Sequence, residues 1–116
     1  MRSELKITKI GTVEPAGYLS AVNADEFKHQ LTQAVKNKNN NIIVVDMKKV
    51  EFLDSAGLMA LVEALRLAKS LGRRLVLCSI DQSVRMVFEL TQLDKVFEIV
   101  ENRREIESAF SQLLAA

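Results

Sequence analysis

Two acids and one hydroxyl stand where this chain could do chemistry: Asp46, Asp54 and Ser55. Asp46 ends the apolar run Ile42 to Val45. Asp54 and Ser55 come just before an apolar stripe at helical spacing, Leu58, Leu61, Val62, Leu65 and Ala68. Asp and Ser are both good helix caps, because a side-chain oxygen accepts from the free amides of the first turn. One use of the pair is therefore capping and nothing more. A second use exploits the same geometry. A hydroxyl at a helix N-terminus is exposed among backbone N–H donors, and a phosphoryl group on it meets the positive end of the helix dipole. Phosphorylation adds about −1.5 to −2 charge, here beside Asp54. Backbone amides can offset that charge in the free protein, but a partner pressed against it cannot easily do so. Like charges at an interface cost several kcal/mol, and about 1.4 kcal/mol is tenfold in affinity. On this reading Ser55 carries an off-switch for binding.

Other chemistries find little support. The chain has four glycines, none in a GxGxxG or GxxxxGK spacing. Its one histidine, His29, lies beside Phe27 and Leu31 on a predicted helix, with nothing to bring it to Ser55. Ser55 is not in a GxSxG elbow. One histidine and one cysteine, Cys78, do not make a zinc site. Asp46 and Asp54 could hold magnesium as in phospho-acceptor receivers, but those carry paired acids early in the chain, where this one has only Glu4 and Glu14. No catalytic residue, metal or cofactor is expected.

The elements that must position Asp54 and Ser55 read as follows. Leu5, Ile7 and Ile10, then Val13 and Leu19 beyond Gly11, Pro15 and Gly17, predict two short strands joined by a turn. Asn23 with Glu26 predicts a capping box, and Phe27, Leu31, Ala34 and Val35 a helix. Ile42 to Val45 is apolar at every position, as in a strand buried on both faces of a parallel sheet. A polar connector with Lys48, Lys49 and Glu51 leads to the second helix, which Gly72 ends. Leu75 to Cys78 is another buried strand. Asp81 opens a third helix with Val84, Val87 and Phe88 inward, and Val96 to Val100 holds a short last strand. Asn102 and Glu105 cap a final helix striped by Ile106, Ala109, Phe110 and Leu113. The order β-β-α-β-α-β-α-β-α predicts a mixed, mostly parallel α/β sheet of about five strands and four helices, with right-handed crossovers and an antiparallel edge from the initial hairpin.

Asp54-Ser55-Ala56-Gly57-Leu58, preceded by Ile42 to Asp46, Val50, Phe52 and Leu53, resembles the signature of the STAS domain family, the anti-sigma factor antagonists. Gly17 and Leu19, Arg74 to Leu77, Val84, Val87 to Thr91, Leu93 and Phe97 extend the resemblance to about residues 5 to 114. Two positions depart from the family's habit: Ser20 stands where an acid is often found, and Ala56 where a second serine often follows the phospho-acceptor. The resemblance implies that Ser55 is phosphorylated by a serine kinase that doubles as an anti-sigma factor, and restored by a PP2C-type phosphatase. It implies that the unphosphorylated form binds the kinase and frees a sigma factor. Asp54, Ser55, Ala56, Met59 and the loop near Asn23 are the expected partner contacts; packing under a neighbouring element is the alternative use of Met59. A second reading is a STAS scaffold subunit of a larger signalling or lipid-transport assembly, and a third is an enzyme or nucleotide binder.

Composition agrees with a regulatory module. The 116 residues suit a single domain over 1–116. The chain is 48% hydrophobic and 27% charged, with 16 basic against 15 acidic residues for a net charge of +1. That balance offers no bulk attraction to nucleic acid or anionic membranes. Arg66, Lys69, Arg73 and Arg74 read as a solvated helix end. The lone Cys78 excludes an internal disulfide and suits a reducing, cytoplasmic setting. No segment has the length and apolarity of a membrane span, and a monomer or weak dimer is expected.

Overall fold

The computed structural model describes residues 9–108. In chain order these form β1 (Lys9–Val13), β2 (Ala16–Leu19), α1 (Ala24–Lys36), β3 (Asn40–Asp46), β4 (Lys49–Leu53), α2 (Ser55–Ser70), β5 (Arg74–Cys78), α3 (Gln82–Leu90), a 3-10 turn (Leu93–Lys95) and β6 (Glu98–Val100). Residues 103–108 are helical and form α4. A four-stranded sheet runs in the order β1-β3-β5-β6, and β2 pairs with β4 in a separate two-stranded sheet. Every strand pair among the described residues is parallel.

β3 lies between β1 and β5 and is buried from Ile42 to Asp46, which is why its apolar run does not alternate. Ile43, Val45, Leu75 and Leu77 face the larger core with Leu31, Val35, Leu61 and Phe88. Ile42, Val44, Val76 and Cys78 face a smaller one with Ile106 of α4. Phe88 and Phe97 close the larger core edge to face, centroids 5.6 Å apart. Behind α2, the Gly72 amide donates to Lys69 and the Arg73 amide to Ala68. With Gly72 at φ +71 these bonds form a Schellman cap, as the position of Gly72 predicts.

Five expectations are corrected, the last of them in part. The initial hairpin is absent among the described residues: β1 pairs with β3 and β2 with β4, so neither is an antiparallel edge, and Gly11 lies inside β1. Leu5 and Ile7, like Ala109, Phe110 and Leu113, lie outside the described residues. The segment containing Lys49 and Glu51 is a strand, β4, whose Val50 and Leu53 are buried while Lys49, Glu51 and Phe52 are exposed. Asn23 makes no side-chain cap to α1. The basic cluster is partly tethered. Arg73 donates to the Val35 carbonyl in the last turn of α1, and Arg74 pairs with Glu98 of β6. Near α4, Asn102 accepts from the Glu105 amide, while the Glu105 carboxylate accepts from Glu101 rather than Asn102.

Candidate functional site

The site is built where β2, β4 and α2 meet. β2 and β4 run side by side with Leu19 opposite Leu53, so the chain leaves both strands at the same place. From β2 it enters the turn Ser20 to Asn23; from β4 it enters α2. The Asp54 amide donates to the Leu19 carbonyl at 3.0 Å, tying the two exits together. α2 then starts close to β2. A Cβ on Gly57 would stand 2.5 Å from the Leu19 carbonyl oxygen, so only glycine allows the approach. A glycine inside a helical pattern is a visible sign of such close packing.

Of the two candidate caps, Asp54 is the one used. Its Oδ1 accepts from the Ala56 amide at 2.9 Å and the Gly57 amide at 3.1 Å. Its Oδ2 reaches across to accept from the Ala21 amide at 3.2 Å. These three bonds, led by that from Gly57 and opposed by desolvation, hold the Asp54 carboxyl below its ordinary value. Ser55 is then the first helical residue, exposed and relieved of capping. Its amide is a first-turn donor with no acceptor among the described residues.

The expected contacts fall as follows. Ala56 is half-buried and Met59 is 49% exposed, so among the described residues no neighbouring element covers Met59. With Ala24, Asp25, Lys28 and Glu63 they line a depression of about 210 Å³ between α1 and α2. A Lys28–Glu63 ion pair lies across it, and Glu63 raises the Lys28 pKa. The Asn23 side chain turns into its own loop, its amide donating to the Tyr18 carbonyl at 2.8 Å and its oxygen accepting from the Ser20 amide at 2.9 Å. Its role is to shape the loop rather than to cap α1. Asp46 is buried at the end of β3 and accepts from the Lys48 amide at 3.0 Å. His29 is exposed on α1. Among the described residues no three His, Cys, Asp or Glu side chains cluster as a metal site, and no helix is long and apolar enough to cross a membrane.

Three features escape a reading of the sequence. Val22, at the tip of the loop, is 95% exposed. The Ala21 amide is a binding group of the site, and a backbone donor has no sequence signal. Tyr18 and Phe52 form an exposed pair on the β2–β4 sheet, centroids 5.7 Å apart. Alternation along β2 and β4 puts both on the face opposite the buried Leu19 and Leu53, a signal that the polar character of β4 hides.

Known proteins resemble this chain in sequence and in fold. BtrV of Bordetella bronchiseptica, named as a candidate anti-sigma factor antagonist, is 26% identical over 98 residues, 84% of each chain. The crystal structure of a candidate anti-sigma factor antagonist from Thermotoga maritima superposes with a TM-score of 0.79 at 29% identity, over 86% of each chain. The phosphorylated form of the Bacillus cell fate determinant SpoIIAA shares the fold, with a TM-score of 0.66 at 16% identity, over 89% of this chain and 93% of that one. The STAS domain profile matches residues 5–106, a span that includes β1 to β6, the Asp54 clasp and Ser55, and the chain belongs to the STAS domain family.

Proposed function

We propose that this chain is an anti-sigma factor antagonist, a single-domain cytoplasmic switch with no catalysis of its own. Unphosphorylated, it binds an anti-sigma factor serine kinase and thereby frees a sigma factor. Phosphorylation of Ser55 ends that binding, and a PP2C-type phosphatase restores it. The transfer is the kinase's chemistry. The Ser55 oxygen forms a bond to the γ-phosphorus of a nucleoside triphosphate, the bridging P–O bond to the diphosphate breaks, and the hydroxyl proton passes to a base of the kinase.

The observation that supports this reading is the division of labour at the start of α2. Asp54 takes the Ala56 and Gly57 amides, and Ser55 is exposed, its hydroxyl without a hydrogen-bond partner among the described residues. A phosphoryl group there meets the Asp54 carboxylate with two first-turn amides already engaged. Its charge is therefore less well compensated than at an empty helix N-terminus, and burying it against a partner is correspondingly costly. Ala56, Met59 and the Asn23 loop surround it as contact surface.

The test is phosphosite mapping of the protein from its host, followed by titration of the captured kinase. The expected results are phosphate on Ser55, tight binding by the unmodified chain, and binding weakened at least ~10-fold by phosphoserine, the change that about 1.4 kcal/mol of repulsion produces. Equal binding by both forms would refute the switch.

A further inference from the structure

We infer that Asp54 is the positioning residue that joins the Ser20–Asn23 loop to the start of α2 as one surface, and that a phosphoryl group on Ser55 releases the loop. The inference rests on Ser55 as phospho-acceptor and adds a second consequence to its modification.

The loop has its own internal frame. The Asn23 amide donates to the Ser20 carbonyl at 3.1 Å, the Asn23 side chain bonds Ser20 and Tyr18, and the Val22 amide points to the Ser20 hydroxyl at 3.4 Å. These bonds hold the turn in shape without fixing it to α2. Among the described residues, the hydrogen bond that fixes it there is that of the Ala21 amide to Asp54 Oδ2, across 33 positions of sequence. The loop is a preformed turn whose ends are anchored in β2 and α1, and whose middle meets α2 through one carboxylate oxygen. Val22, 95% exposed at its tip, is presented by that docking.

The other oxygen of the same carboxylate holds the Ala56 and Gly57 amides. A phosphoryl group on the adjacent Ser55 carries up to twice the charge and three strong acceptor oxygens. It competes for those amides and repels the carboxylate. A carboxylate that turns away from α2 moves both oxygens together. The exposed 3.2 Å bond to Ala21 is the longest of the three and has no helix behind it. Phosphorylation thus alters the surface at Ser55 and again at Val22.

The experiment is amide hydrogen exchange by nuclear magnetic resonance on the full chain, unmodified and with phosphoserine installed at position 55. Asp54→Asn separates the two jobs of the carboxylate. Asn caps a helix about as well as Asp, but its amide nitrogen cannot accept from Ala21, so the variant keeps the start of α2. The expected result is Ala21 exchange at least ~10-fold faster with phosphoserine, a local opening rather than a global one. The same acceleration is expected in unmodified Asp54→Asn, with no further change when that variant carries phosphoserine. Unchanged Ala21 protection with phosphoserine overturns the inference, and so does an Asp54→Asn variant that keeps Ala21 protected. Titration of the kinase reads the switch separately. Loss of binding with Ala21 still protected leaves the switch standing and removes the coupling. Release of Ala21 with binding unchanged keeps the coupling and removes the switch.

Discussion

Gly57→Ala tests the packing on which the site depends. The added methyl would stand 2.5 Å from the Leu19 carbonyl oxygen and 2.9 Å from the Leu19 Cβ. The obstacle is backbone, and that carbonyl is held by the Asp54 amide at 3.0 Å, so it cannot turn aside without giving up a hydrogen bond. In an open helix interior the change would gain about 1 kcal/mol in helix propensity. Overpacking costs about 1–3 kcal/mol, and a disrupted hydrogen bond about another 1 kcal/mol. The net expectation is a loss of about 1–3 kcal/mol. One kcal/mol moves the Tm of a domain near this length by roughly 4 °C, so thermal denaturation followed by circular dichroism should show a fall of about 4–12 °C. On the proposed function partner binding should weaken too, because Asp54 and the Ala21 loop are joined by a hydrogen bond next to Gly57. A variant as stable as the parent, or more so, would refute the close approach of β2 and α2 and the site geometry drawn from it.

Ser55→Ala removes the proposed phospho-acceptor but not the cap, so its stability should stay within about 0.5 kcal/mol of the parent in urea denaturation, and on the proposed function the kinase should no longer label it. Leu31→Ala empties a fully buried position in the larger core; a loss of about 2–5 kcal/mol is expected in the same assay. Asp54 and Asp81 both have carboxyl pKa values lowered by hydrogen bonding, from the Gly57 amide foremost at Asp54 and from the Ser83 side chain foremost at Asp81. Their contribution is present above the ordinary unfolded value, about 3.9, and is lost as pH falls through the folded values. Thermal melts taken from pH 5 downward should therefore fall more steeply for the parent than for Asp54→Asn or Asp81→Asn. Parallel curves would contradict the assignment.

The readable parts of the sequence were those set by burial and local backbone chemistry. Ile42 to Val45 and Leu75 to Cys78 are central strands, and their unbroken apolar character reports burial on both faces. Gly72 and Asp81 end and begin helices through bonds within a few residues of themselves. Asp54 and Ser55 were legible as a helix start with a hydroxyl, although either could have been the cap.

What the sequence did not determine depended on partners far along the chain. β4 looks like a polar connector because Lys49, Glu51 and Phe52 face outward from a two-stranded sheet, leaving only Val50 and Leu53 to signal burial. The expected hairpin is not formed among the described residues: nearness in sequence suggests that β1 and β2 pair with each other, whereas each finds a parallel partner some 30 residues later. Asn23 carries the signature of a cap, yet its side chain is spent on Tyr18 and Ser20. The Asp54 cap itself is local, but its second use was decided by the same tertiary closure. Bringing β2 beside β4 places the Ala21 amide within reach of Asp54, so one carboxylate serves two elements. Local patterns record which residues seek burial or an amide; only the folded chain decides which amide, because the competing donors come from segments that sequence does not bring together.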